Sequence, residues 1–382
     1  MFLNPPVPLA WRNLMEKPWR LATSLCGVAF AVILIFIEVG FMNAVYDSQT
    51  QLVRSLNADL IVTSPFKINT APSRPFPHNR LIQSLNFEGV QAAYPVYLDD
   101  YNSVWKNAKN GIEYPIIAVA FDPSEPAFLD ERIQRFARRL HDDEAVLIDG
   151  KSRDFYGELK AGQAAEFNGK QTHIVGVFEM GSAMRWDGVT IMSDQAFFEY
   201  FAFRNASQVD LGLLKLAPGV DPEKVQRELQ AALGEDVAIR TKEEMEDLIR
   251  VYWGQTKAIG KVFSAGAAVG FLIGVMICYQ ILFSGVTERL PQYATLRAIG
   301  YSNAYLFKIV LQEALLLSIL GFVPGVLVSL AAYRVLEAFS GLAMNLTWAR
   351  MIPVLLLTIG MCCVSGVIAA RKAMRLDPAE VF

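Results

Sequence analysis

Residues 262–283, VFSAGAAVGFLIGVMICYQILF, contain no charged side chain. About 20 apolar residues, each rising 1.5 Å in a helix, cross the ~30 Å hydrocarbon core of a bilayer, so this stretch predicts a transmembrane helix. Moving outward, three more windows of the same kind appear. They are 21–42, with the single charge Glu38; 306–333, apolar from 314 to 330 and amphipathic upstream; and 352–370. The chain of 382 residues is 53% apolar and 19% charged, and the apolar excess gathers in these windows. Residues 43–260 read instead like a water-soluble globular sequence. The expected fold is an α-helical membrane protein with four transmembrane helices and an α+β domain inserted between helices 1 and 2.

The first window follows Arg12, Lys17 and Arg20, as a secretory signal would. It is longer than a signal's apolar core, and no small-residue cleavage site follows in 41–50, so it is read as an uncleaved anchor. Lysine and arginine near helix ends set orientation. The arm 1–20, read as an amphipathic helix with Trp11 and Trp19 at headgroup level, the connection 284–305 with Arg289 and Arg297 and with Lys308 just beyond it, and the tail 371–382 with Arg371, Lys372 and Arg375 share one side. That side is expected to be the cytoplasm, which places 43–260 and the short loop 334–351 outside the plasma membrane. A net charge of −3, with no basic stripe, gives no footprint for nucleic acid.

Cys26, Cys278, Cys362 and Cys363 all lie in apolar windows, so the domain 43–260 folds without disulfides. Short runs rich in Val and Ile at 58–64, 115–121, 145–148, 210–216 and 237–240 predict strands. An amphipathic helix at 222–233 makes the last two a β-α-β unit. Gly157, Gly162, Gly169, Gly176 and Gly181 punctuate a mainly β insert. Two subdomains are expected, one from 57–105 with 206–240 and the other from 106–205. Residues 43–56 continue the first span and 241–260 run as a helix directly into the second, the two together forming a stalk.

Catalytic chemistry is not visible. Gly150-Lys151-Ser152 ends like a P-loop, but the glycine needed five residues earlier is Ala145. His141-Asp142-Asp143-Glu144 lacks a second histidine at ligand spacing and reads as a solvated acidic loop. No catalytic or metal residues are assigned. Gly266, Gly270 and Gly274 recur every four residues and strip one face of the second span, which suits close packing, either as a dimer seam or within the chain. Glu38 and Glu313 are the acidic groups nearest the membrane interior, and interfacial anchoring or pairing is the favoured reading.

Residues 286–314, VTERLPQYATLRAIGYSNAYLFKIVLQEA, resemble the loop and third span of the FtsX-like permeases, the MacB type of ABC transporter. The shared elements are Glu288 and Arg289, Leu296-Arg297-Ala298-Ile299-Gly300, and Glu313-Ala314. Ala10-Trp11-Arg12-Asn13-Leu14 and the ending with Asp377-Pro378-Ala379-Glu380 also match. Across its length, and particularly over 8–68, the chain is similar to the DevC permeases. The resemblance implies a permease homodimer joining DevA- or MacB-like ATPase subunits, which bind the ATP and Mg, so that this chain holds no cofactor. It further implies a DevB-like periplasmic adaptor, a TolC-like outer-membrane channel, and a glycolipid or other membrane lipid as cargo. The outward domain would comprise a porter-like and a β-rich subdomain. Glu288, Arg289, Gln292, Tyr293 and Arg297 would give a polar face to the ATPase, with Leu296, Ile299 and Gly300 completing the coupling helix. The alternative within the family is a transmitter like FtsX, which regulates a cell-wall enzyme and transports nothing.

Overall fold

The computed structural model describes residues 9–69 and 74–373, which form two units. One comprises 44–258 and 340–343, and the other the described residues before, between and after them. Helix α1 (Leu9–Met15) stops before Glu16 and Lys17, and α2 (Pro18–Ser55) begins anew. The arm is therefore not one helix through residue 20. Pro18 disfavours a helical conformation at Lys17 but suits the first turn of a new helix. From there α2 runs unbroken for 38 residues.

In chain order, the β-rich unit continues with β1 (Leu60–Thr63), β2 (Phe76–Pro77), α3 (His78–Ser84), β3 (Val90–Asp99), β4 (Val104–Lys106), β5 (Glu113–Pro115) and β6 (Ile117–Phe121). Then come α4 (Glu131–Ala137), β7 (Ala145–Asp149), β8 (Ala164–Phe167), β9 (Lys170–Phe178), β10 (Val189–Ser193) and α5 (Asp194–Tyr200). The unit closes with β11 (Gln208–Val209), β12 (Leu211–Leu216), α6 (Pro222–Leu233), β13 (Ala238–Thr241) and α7 (Lys242–Val251). One sheet of eleven strands has the order β13-β1-β12-β3-β6-β10-β7-β9-β8-β4-β5, while β2 pairs with β11 apart from it. Pairing is antiparallel except at β6/β10 and β7/β9. Around those parallel pairs β6, β7 and β10 are buried along their whole length, as strands covered on both faces must be.

The sequence puts a subdomain boundary at 105/106, inside β4. The structure corrects this: β4 pairs with β5 and β8 at the far edge, and the sheet passes without interruption from β3 to β6. The Asp99 carboxyl causes the departure, accepting from the backbone N–H of Tyr101 and Asn102 and turning the chain away from β3. One apolar core, from Leu60 to Phe167 and Ile239, underlies both halves. At its start α6 is capped by Asp221 and led by Pro222, and it buries Val225, Leu229 and Leu233 four residues apart. It crosses from β12 to β13, which flank β1.

A second correction concerns 241–260. After α7 comes a π-helical turn, Tyr252–Thr256, and then Lys257 is extended at φ −81° and ψ 143°. Only at Ala258 does α8 (Ala258–Glu288) begin, so no single helix leads into the second span. It is followed by α9 (Leu290–Ala298), α10 (Asn303–Ser340) and α11 (Trp348–Ala373). The helices α2, α8, α10 and α11 are long and apolar enough to cross a membrane. They overrun the sequence windows: the non-helical part of the expected loop 334–351 shrinks to 341–347, and much of 284–305 is helical. Arg375 and Asp377 to Glu380 lie outside the described residues.

The glycine stripe of α8 is spent inside the chain. A Cβ on Gly266 would lie 2.6 Å from the Glu38 carboxyl carbon, Gly270 faces Leu34 and Ile35, and Gly274 faces Ala31 and Met361. Likewise Gly321 and Gly325 of α10 admit Val28 and Val32 of α2, where an added Cβ would sit 2.6 Å from each side chain. Small residues let these helix backbones approach, which is how apolar helices associate without water to drive them together.

Candidate coupling site

The segment from 284 to 314 builds a joint of three helices. Arg289 interrupts the helical path at φ −98° and ψ 7°, and Pro291 then sits in the first turn of α9. The far end of α9 closes on Gly300 at φ 106°, with Gly300 N–H donating to Arg297 O and Tyr301 N–H to Leu296 O. This is a glycine cap in which a side chain at 300 would be strained. Ser302 then caps α10, its Oγ accepting from Tyr305 N–H.

Glu313, one face into α10, is almost fully buried. Its Oε1 accepts from Asn13 Nδ2 at 2.6 Å, and its two oxygens take the Arg289 guanidinium at 3.2 and 3.3 Å. The same guanidinium donates to the Asn13 carbonyl and lies 3.9 Å from Glu16. One carboxylate thus ties α1, the α8–α9 turn and α10 together. Below it, Ala10, Val286, Tyr293, Leu306, Ile309, Val310 and Ala370 form an apolar cluster with Leu296 against it. Beside it, Glu288 pairs with Arg20 and with Lys17 at 3.2 Å, and Arg20 also donates to Ser284 Oγ at 3.1 Å.

These contacts change the expected assignment of α9. Arg289 and Tyr293 were expected on a polar outer face, but both turn inward, with Leu296 on the same side. The positions 289, 293 and 296 share one face of a 3.6-residue helix. Ile299, which the resemblance places in the coupling helix, is 71% exposed. The outer surface is Gln292, Arg297, Ile299, Tyr301 and Tyr305, the last two with ring centroids 4.7 Å apart. Sequence reasoning missed Asn13 as a bonding partner, although it lies within the Ala10 to Leu14 motif. It also missed the two tyrosines, which follow the glycine without a distinguishing pattern. The Glu313 carboxyl resolves as pairing, and Glu38 lies over Gly266.

Residues 264–378 match the FtsX-like permease C-terminal family, and residues 21–232, more than half of the chain, match the MacB-like periplasmic core domain. The chain belongs to the MacB and FtsX-like permeases. An uncharacterized ABC transporter permease of Methanocaldococcus jannaschii is 24% identical to this permease over 192 residues, 47% of each chain. The permease therefore spans about half the length of that curated relative. Among solved structures, the periplasmic region of MacB from Actinobacillus actinomycetemcomitans covers 52% of this chain and 95% of its own, at 10% identity and a TM-score of 0.35. The extracellular domain of the noncanonic ABC-type transporter YknZ from Gram-positive bacteria covers 48% of this chain and 99% of its own, at 11% identity and a TM-score of 0.34.

Proposed function

We propose that this permease is the transmembrane subunit of an ABC exporter that works by mechanical transmission. A separate ATPase binds and hydrolyses ATP on the cytoplasmic side, where both termini also lie, and the β-rich domain faces the periplasm. The observation that carries this reading is the joint around Glu313. The outer surface of α9, with Arg297 and Ile299, is free for a partner, while its inner face is fixed by Arg289 and Tyr293 to a membrane-spanning helix and to α1. A displacement imposed on α9 is then passed to α10 through a largely buried charged pair. A DevB-like adaptor and a TolC-like channel complete the route, two copies of the permease work together, and the cargo is a glycolipid or another hydrophobic molecule.

The test uses the full permease with its partner ATPase in proteoliposomes. Candidate lipids are expected to stimulate hydrolysis several-fold, and Arg297→Glu to abolish co-purification of the ATPase. Retention of the ATPase by the Arg297→Glu protein overturns the docking assignment. Failure of every lipid to stimulate hydrolysis or be transported overturns the export reading in favour of an FtsX-like transmitter.

A further inference from the structure

The eleven-stranded sheet has two ends, and they differ in what they carry. At one end, where β6 finishes, Asn57 donates to the carbonyls of Ala127 and Pro126, both at 2.9 Å. The registers place the finishing ends of β1, β3, β7 and β9 at the other end, beside the starting ends of β6, β10 and β12. There the loop between β9 and β10 meets Gln49 of α2, whose side-chain carbonyl accepts from Met184 and Arg185 N–H at 3.0 and 3.2 Å. Gln49 precedes Asn57 by eight residues, about 12 Å if helical throughout, so this end lies nearer the apolar part of α2.

The same loop holds the strap Ser340–Ala343, which folds with the β-rich unit although it connects two membrane-spanning helices. Ser182 Oγ donates to Gly341 O at 3.1 Å. Gly341 is at φ 67°, and a Cβ there would sit 2.5 Å from the Arg153 guanidinium, so the strap and Arg153 are closely apposed. Phe339 and Trp348, on either side of the strap, are 84% and 77% exposed, as rings at the headgroup level are. A strap this short keeps the loop bonded to it within a few residues, along the chain, of two helices long and apolar enough to span a membrane.

This end of the sheet also carries several exposed large apolar side chains. After β1 the pattern inverts: Lys67 and Asn69 point inward and are buried, while Phe66 and Ile68 point outward. Burial lowers the Lys67 pKa to about 8 against the opposing charges of Asp210 and Asp100. Asp100 is bound to Arg185 at 2.6 Å and precedes Tyr101, which is 87% exposed. Asp210 holds Arg204 at 2.6 Å, next to the exposed Phe203. One polar network therefore supports Phe66, Ile68, Tyr101, Met184 and Phe203 on neighbouring loops. A soluble domain does not ordinarily present such a group to water.

We propose that these five side chains are a second membrane contact, resting in the headgroup and upper acyl region of the bilayer and holding the β-rich domain against the lipid surface. The occupant is lipid because the loop that carries Met184 is bonded to the strap between two spanning helices. Rings and aliphatic tips embedded to a depth of about 5–10 Å are how peripheral segments bind such an interface. The contact does not depend on what the protein moves.

The experiment places an environment-sensitive fluorophore at Phe66→Cys or Tyr101→Cys in the full-length protein in nanodiscs. Cys26 and Cys363 are replaced by Ala, and the buried Cys278 and Cys362 are kept. Leu129→Cys, exposed at the opposite end of the sheet, is the control. Lipids spin-labelled near the headgroup are expected to quench the Phe66 and Tyr101 probes several-fold more than the Leu129 probe, and an aqueous quencher several-fold less. Equal quenching at all three positions overturns the proposal. Protection from the aqueous quencher without quenching by lipid overturns it in favour of a protein partner or a second copy. The same probes in detergent confirm folding by retaining the wild-type melting temperature.

Discussion

Glu313 and Asp210 are both buried acids with cationic partners, yet they hold together different kinds of structure. Asp210 receives Arg204 at 2.6 Å and Leu98 N–H at 2.9 Å, and Arg204 donates in turn to Leu98 O at 3.0 Å. All of this lies at one end of two adjoining strands, β3 and β12, of one sheet. The partners of Glu313 come from three helices, and Asn13 lies 300 residues away in the chain. Removing Asp210 leaves cations inside a folded core, whereas removing Glu313 disconnects helices that are each complete without it. The first is a rivet and the second a joint.

The largest expected effect tests the rivet. Asp210→Ala leaves Arg204 and Lys67 buried beside no carboxylate at that position, and removing one partner of a buried pair costs about 3–5 kcal/mol. The tryptophan-fluorescence melt of the β-rich unit should fall steeply. A melt within a degree or two of wild type would show that the network is not structural. Next, Glu313→Gln retains an acceptor for Asn13 but removes the charge facing Arg289, and the loss of a charged hydrogen bond is worth about 1.5–3 kcal/mol. ATPase stimulation by the complex is expected to drop about tenfold or more while the β-rich unit melts as before; a change in that melt would erase the distinction between joint and rivet.

The smallest effect concerns Glu125, a half-buried acid next to acids rather than bases. Its Oε2 has no hydrogen-bond partner among the described residues. Burial first, then the charges of Asp122 and Asp194, raise its pKa from 4.5 to about 7. Because the folded-state value lies above the unfolded one, the protonated carboxyl is favoured by the fold. Its contribution is complete below pH 4.5 and is lost as the pH rises toward 7. Glu125→Gln should melt like the wild type at pH 4 and higher than it at pH 8. Parallel melting curves across that range would remove Glu125 as the cause.

The four spans and the inserted domain were legible because each rests on a long run of one character, and a run of 22 uncharged residues has no soluble alternative. Local elements such as α6 were legible for the same reason, with cap, proline and apolar spacing all in agreement. What escaped depends on partners distant in sequence. Arg289 and Tyr293 look like surface residues until Asn13 and Glu313 are brought beside them. β4 looks like the end of one subdomain because its partners, β5 and β8, lie beyond a turn. The halt at Lys257 has no proline to announce it. Where the comparison with known proteins covers the chain, it identifies the permease, but the inward turn of α9 comes from the geometry alone.

Two of the chain segments that connect the β-rich unit to the membrane helices, α2 and the stretch before α8, are mechanically unlike. A helix of 38 residues without a break is stiff in bending and in torsion, and α2 is such a helix. The other path contains the π-helical turn and the extended Lys257, about whose backbone bonds the chain can rotate without breaking a helical hydrogen-bond ladder. In the mechanical transmission proposed above, α2 is the stiff path into the domain and the extended Lys257 the one that can rotate.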